Sequence, residues 1–277
     1  MESGTGSTGN AEACRGAKSR RSFLGLHLNT FTQAGFLAAV ERSLRTRDPL
    51  RISFLNPFYA RVAAEDERLR AVMNRFDVLQ ADGWGVILGA RLRGVRIKER
   101  VAIEDFERPF FGHLARQGAG LFLFGSEPGM AEKAAATLEQ AFPGLRVVGT
   151  QHGWLDVDRG HPGRFDEEDE RAVVDLVNAS GADVLLVGLP TPLQQDFVVT
   201  YGSQLDAPIV MTVGAYFDHL AERLDWYPRW MDRLRLDWLY RLYREPARLR
   251  KRYTVGMAQY AWCVLRETVR PIGASDG

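Results

Sequence analysis

The chain has 277 residues, 45% hydrophobic and 26% charged, with a formal net charge of +1. This is enough to bury a large core, and it excludes a disordered or fibrous chain. The near-neutral total provides no global field for nucleic acid. The charge is unevenly placed: from Arg223 to Arg252 ten Arg/Lys face four Asp/Glu, a local +6 that leaves −5 elsewhere. The two cysteines, Cys14 and Cys263, lie far apart, so neither a disulfide framework nor a zinc spacing follows and a reducing compartment fits. No stretch approaches the roughly 20 apolar residues of a membrane-spanning helix.

Residues 1–22 are Gly/Ser/Thr-rich and then basic, without the apolar centre of a secretory signal, and read as a disordered leader. Phe23–Leu28 reads as a first strand. Thr32 is a fair N-cap for a helix over Thr32–Leu44, and Arg51–Leu55 is a second strand ending at Asn56-Pro57. Helical stretches at Phe58–Glu65 and Glu67–Arg75 precede a short strand, Phe76–Ala81, which stops at Asp82-Gly83. Gly85–Leu92 and Ile103–Gln117 read as helices. Gly120–Gly125 is a buried strand, Ser126-Glu127-Pro128-Gly129 a turn, and Met130–Phe142 an amphipathic helix. There follow a strand at Leu145–Gly149, a helix at Asp166–Ser180, a strand at Asp183–Val187, a helix at Thr191–Tyr201 and a strand at Pro208–Val213. This alternation predicts a Rossmann-like α/β fold, a parallel sheet with helices on both faces, over residues 23–220. After Asp218 the strand pattern ends. Residues 221–277 form an Arg/Trp/Tyr-rich helical appendage, with one last helix from Pro246 to about Thr268.

Parallel strands converge at their carboxyl ends, where open α/β sheets keep their chemistry. Asp82, Asn56, Arg100 and Gln194 all stand at or near such ends or in the loops after them. Gly125-Ser126-Glu127-Pro128-Gly129 is a turn whose backbone N–H groups can approach a phosphate, although it is neither G-x-G-x-x-G nor a Walker loop. Asp156-Val157-Asp158 has the form of a carboxylate pair for a divalent ion, but the polar Arg159-Gly160-His161-Pro162-Gly163 that follows marks an exposed loop, so no metal site is assigned. The five histidines have no H-x-x-x-H spacing and G-x-S-x-G is absent. The cationic appendage with Trp226, Trp230, Trp238, Tyr240 and Tyr243 suits an anionic, lipid-linked ligand at a membrane surface as well as a buried helical subdomain.

The segments Leu55-Asn56, Ala81-Asp82-Gly83-Trp84-Gly85-Val86, Glu99-Arg100-Val101, Phe122–Gly129, Val148–Trp154, Val213–Asp218 and Asp237–Arg248 together resemble the bacterial WecG/TagA/CpsF glycosyltransferases, from about Phe23 to Tyr253. The resemblance implies inverting, metal-independent transfer of a sugar from a UDP-sugar to a polyprenyl-diphosphate-linked saccharide, in surface-polysaccharide synthesis and without a cofactor. By the same resemblance Asp82 is the base, Arg100 an active-site cation, and Asn56 and Gln194 substrate-binding residues, with Gly125 and Ser126 assigned to the donor from their turn. Arg241, Arg248 and Arg252 belong to an appendage that covers the site and meets the membrane. The implied location is cytoplasmic, peripheral on the inner face of the plasma membrane, either as a monomer or as a homo-oligomer. Phe54 and the loop Pro190-Thr191-Pro192-Leu193-Gln194-Gln195 depart from the family pattern, as do Glu222 and Trp226-Tyr227-Pro228, so the transferred sugar stays open. A binding module without turnover and a Rossmann-type nucleotide-sugar dehydrogenase or epimerase are the competing readings. The second lacks its dinucleotide fingerprint.

Overall fold

The computed structural model describes residues 20–155, 165–224, 231 and 236–269. The expected leader up to residue 19, Cys14 and the Asp156–Gly163 loop lie outside the described residues, as do Trp226 and Trp230. An eight-stranded sheet runs in the order β1-β2-β4-β3-β8-β7-β5-β6. Its strands are β1 (Arg20–Phe23), β2 (Leu26–Asn29), β3 (Leu50–Leu55), β4 (Val78–Ala81), β5 (Gly120–Gly125), β6 (Arg146–Gln151), β7 (Val184–Gly188) and β8 (Ile209–Thr212). Every pairing is parallel except β1 with β2.

The first strand expected over Phe23–Leu28 is a hairpin. Leu24 and Gly25 turn it with φ of 52° and 72°, the left-handed pair that matches strand twist. The apolar run is continuous because Phe23, Leu24, Leu26 and Leu28 are all buried on either side of the turn. β1 begins at Arg20, inside the segment read as leader, and the Arg20 guanidinium donates to the carbonyls of Phe76 (2.8 Å) and Asp77 (2.7 Å) at the start of β4.

Helices cover both faces. On one lie α1 (Gln33–Thr46), α5 (Ile103–Gln117), α6 (Met130–Ala141) and α9 (Tyr216–Glu222). Their Phe36, Phe106, Phe110, Phe111 and Leu138 pack on Ile52, Leu121, Leu123, Leu186 and Met211. On the other lie α2 (Pro57–Glu65), α3 (Glu67–Asn74), α4 (Trp84–Leu92), α7 (Glu167–Ser180) and α8 (Leu193–Tyr201), against Leu55, Leu79, Phe122, Phe124 and Val187. Leu121 and Leu123 face one side and Phe122 and Phe124 the other, the alternation of a central strand buried on both faces. Thr32 caps α1 through the Gly35 amide, as its position before the helix predicts.

The C-terminal segment comprises α10 (Asp237–Arg244), α11 (Pro246–Tyr253) and α12 (Val255–Val269). The single last helix expected from Pro246 therefore breaks, at Thr254 (φ −97°, ψ −85°). The reason is tertiary: α12 turns back to lay Tyr260 and Val264 into the core beside α2 and α4. Tyr260 Oη donates to the Gly85 carbonyl at 3.0 Å, and burial pushes this phenol well above its ordinary pKa. No helix among the described residues is long and apolar enough to cross a membrane.

Candidate active site

The carboxyl edge of the sheet is lined by turns that only small residues permit. At the end of β5, Gly125 has φ 138° and a Cβ there would stand 2.3 Å from the Gly188 carbonyl at the end of β7. A Cβ on Gly153 would meet Gly125 Cα at 3.1 Å, and one on Gly188 would meet the Phe217 ring at 2.7 Å and the Gly214 carbonyl at 3.0 Å. The ends of β5, β6, β7 and β8 thus close on one another backbone to backbone, leaving main-chain polar groups as the floor of a cleft. Ser126 holds a left-handed φ of 62°, and its hydroxyl donates to the Asp218 carboxylate. Ser126 lines the cleft. Gly125 sits behind it as a spacer.

This first cleft has a volume of about 680 Å³. Its walls include Trp154, 66% exposed, with Phe165, Pro190 and Asp82. A second cleft of about 440 Å³ lies beyond, walled by Phe58, Trp84, Trp238 and Met257 and reached by Arg100. Asn56, Asp82, Glu104, Arg241, Arg252 and Tyr253 border both. Asp82 is therefore at the seam between the compartments.

The backbone explains that placement. β3 and β4 pair in register through Leu55 and Ala81, and the Asp82 amide extends the ladder by donating to the Leu55 carbonyl at 2.8 Å. Asn56 and Asp82 thus leave adjacent strand ends together. Gly83, at φ 95°, then turns the chain into α4. Asn56 is the N-cap of α2, its side-chain oxygen accepting from the Tyr59 amide at 3.1 Å. Its position at a strand end is a capping position first and a cleft wall second.

Arg100 joins Asp82 in the second cleft but does not border the first. Its Nε donates to both oxygens of Asp105, at 2.9 and 3.1 Å, and its Nη2 binds the same carboxylate. Asp105 also accepts from the Ala102 amide at 2.9 Å, capping α5. Burial raises the Asp105 pKa from 3.8 to about 6, against the pull of Arg100, and the neighbouring Glu104 charge adds to the rise. Arg100 is thus a clamped cation, not one aimed at solvent.

Gln194 is 6% exposed and braces two loops: its Nε2 donates to Thr191 Oγ1 at 3.2 Å and its Oε1 accepts from the Gly214 amide at 3.0 Å. It lines the first cleft while holding the β7–α8 and β8–α9 connections together. From the appendage, Arg241 reaches Glu104 at 2.6 Å. Arg252 lies over the Phe58 and Tyr59 rings, at 5.1 and 5.3 Å from their centroids. The Arg248 side chain lies outside the described residues, although its neighbour Leu249 is buried and lines the first cleft.

Glu104, Trp154, Asp218 and the glycines at 153, 188 and 214 also line the first cleft, although none was given a role from the sequence. The glycines had a signal, one at or just past the end of each of β6, β7 and β8. Glu104 had none, because its partner stands 137 residues away. Among the described residues no group of three or more His, Cys, Asp or Glu is arranged to hold a metal ion.

The profile of the glycosyl transferase WecG/TagA/CpsF family matches residues 21–273. The chain belongs to this family. Among curated relatives, an N-acetylglucosaminyldiphosphoundecaprenol N-acetyl-beta-D-mannosaminyltransferase of Bacillus subtilis (strain 168) is 25% identical over 216 residues, covering 78% of this chain and 79% of the relative. The protein of the same name from Bacillus spizizenii (strain ATCC 23059 / NRRL B-14472 / W23) is 25% identical over 211 residues, covering 76% and 77%.

Proposed function

We propose that this glycosyltransferase moves a sugar from a UDP-sugar in the first cleft to a polyprenyl-diphosphate-linked saccharide in the second, with inversion and without a metal ion, in surface-polysaccharide synthesis. The observation that carries this reading is the position of Asp82 on the wall common to both clefts. A carboxylate at that seam can take the proton from an acceptor hydroxyl entering on one side as it attacks an anomeric carbon presented from the other. The C1–oxygen bond of the acceptor forms as the bond from C1 to the diphosphate breaks, and a single in-line displacement inverts the carbon. The diphosphate leaves with the electron pair, and Arg241 and Arg252, on the same wall, are the cations placed to offset its charge. Arg100, already bidentate on Asp105, shapes the second cleft.

The two Bacillus relatives are named for a diphosphoundecaprenol-linked sugar acceptor, which supports the acceptor class proposed here. The aromatic side chains of the second cleft, together with its arginines, suit an amphiphile of that kind. An acceptor of this kind fits a location at the cytoplasmic face of the plasma membrane, with the appendage as the peripheral contact.

The test is UDP release from a panel of UDP-sugars, with and without a short-chain prenyl-diphosphate-linked sugar, in EDTA, for wild type and Asp82→Asn. Acceptor-dependent, EDTA-resistant release that falls about 10²–10⁴-fold in the variant, with UDP affinity retained, is expected for a general base. Normal turnover by Asp82→Asn removes the role given to Asp82, and UDP binding without release from any donor and acceptor favours a binding module.

A further inference from the structure

The seam holds more acid than a diphosphate site needs. Arg241, from α10, is engaged by Glu104, from the first turn of α5, at 2.6 Å, with side chains 31% and 18% exposed. The next residue of that turn, Asp105, holds Arg100. Consecutive carboxylates of one helical turn thus occupy two of the guanidinium groups facing the second cleft. Arg252, resting on Phe58 and Tyr59, pairs with no carboxylate among the described residues. The second cleft is thus bordered by Asp82 and Glu104 beside Arg100, Arg241 and Arg252, and two of these three guanidinium groups are already engaged by carboxylates.

We propose that Glu104 is an internal competitor for Arg241 that makes the seam selective for diphosphates over monophosphates; the inference rests on the function proposed above for what the diphosphate is attached to. A single phosphate can pair with Arg252 but gains nothing by contesting Arg241. A diphosphate anchored at Arg252 presents its second phosphoryl group at high effective concentration and can displace Glu104. Once released, Glu104 remains in a favourable setting. It lies in the first turn of α5, where unpaired backbone N–H groups favour a negative charge, and its partial exposure admits water. The ion pair also joins appendage to core, so the exchange is felt by α10.

Calorimetric titration of the full chain with inorganic pyrophosphate and with orthophosphate, at fixed ionic strength, tests this. Wild type is expected to bind pyrophosphate at least about tenfold more tightly than orthophosphate. Glu104→Gln, which removes the competing charge and keeps the shape, is expected to tighten pyrophosphate by about tenfold and orthophosphate by more, so that the preference narrows, and Glu104→Gln/Arg241→Gln to lose the gain for pyrophosphate. Should Glu104→Gln fold poorly, Glu104→Asp, with a shorter reach, should show a smaller gain in the same direction. Unchanged or weaker pyrophosphate binding in either variant overturns the inference, as does the absence of pyrophosphate binding in all forms, because Glu104 then merely holds Arg241 in place. No sugar is present in these titrations. The expected pattern together with no glycosyl transfer would refute the proposed function and leave Glu104 its role, and transfer without the gain would refute Glu104 alone.

Discussion

Gly89 offers a test in which two physical effects of opposite sign compete. It lies inside α4, where replacing glycine by alanine is worth about 1 kcal/mol in helix propensity. The new Cβ, however, would stand 2.2 Å from Tyr260 Oη, 3.1 Å from Tyr260 Cζ and 3.2 Å from Phe23 Cζ. Tyr260 is 4% exposed, so the ring cannot swing into solvent, and its hydroxyl would leave the Gly85 carbonyl. Overpacking of this kind costs about 1–3 kcal/mol and the lost hydrogen bond about 1 kcal/mol more. The contact wins, and Gly89→Ala should be destabilised by about 1–3 kcal/mol, a fall of several degrees in Tm at about 2–4 °C per kcal/mol for a chain of this size. Urea and thermal unfolding measure it. Displacing α12 also shifts α11, which carries Arg252 and Tyr253 into both clefts, so turnover should fall with stability. Gly89→Ala/Tyr260→Phe, which deletes the offending oxygen, should recover most of the loss. A Gly89→Ala protein stabilised by about 1 kcal/mol, as propensity alone demands, would refute the account of how α12 is seated.

Asp105 should give stability a recognisable pH dependence. Its folded pKa, about 6, lies above the ordinary 3.8, so its contribution is fully present below 3.8 and is lost as pH rises through about 6. Unfolding free energies of wild type relative to Asp105→Asn, measured by urea titration across that window, should fall with rising pH and then level; a flat or rising difference contradicts the assignment. Asn56→Ala should lose about 1 kcal/mol from the missing cap of α2. Asn56→Ser should restore stability, and if it also restores full transfer then Asn56 serves the site only as a cap.

The α/β class and almost every element were legible because burial on both sheet faces leaves continuous apolar strands separated by amphipathic helices. Asp82 was legible for a local reason too: a strand stopped by Asp-Gly puts a carboxylate at the carboxyl edge wherever the strand lies in the sheet. The hairpin at Leu24-Gly25 was hidden because both arms bury their apolar residues, and the break at Thr254 because α12 bends to meet α4, a contact with no trace in helical periodicity.

Residue type and strand-end position determined by themselves which side chains could reach one edge of the sheet: Asn56, Asp82, Ser126 and Gln194. Only the tertiary structure decided what each touches there. It showed Gln194 spent on bracing two loops, Gly125 a spacer behind Ser126, Arg100 clamped by Asp105, and Arg241 held by a glutamate that no motif marks. The physical reason is that capping, bracing and ion pairing are properties of distances between groups far apart in the chain, whereas strand ends and helix faces are properties of neighbours.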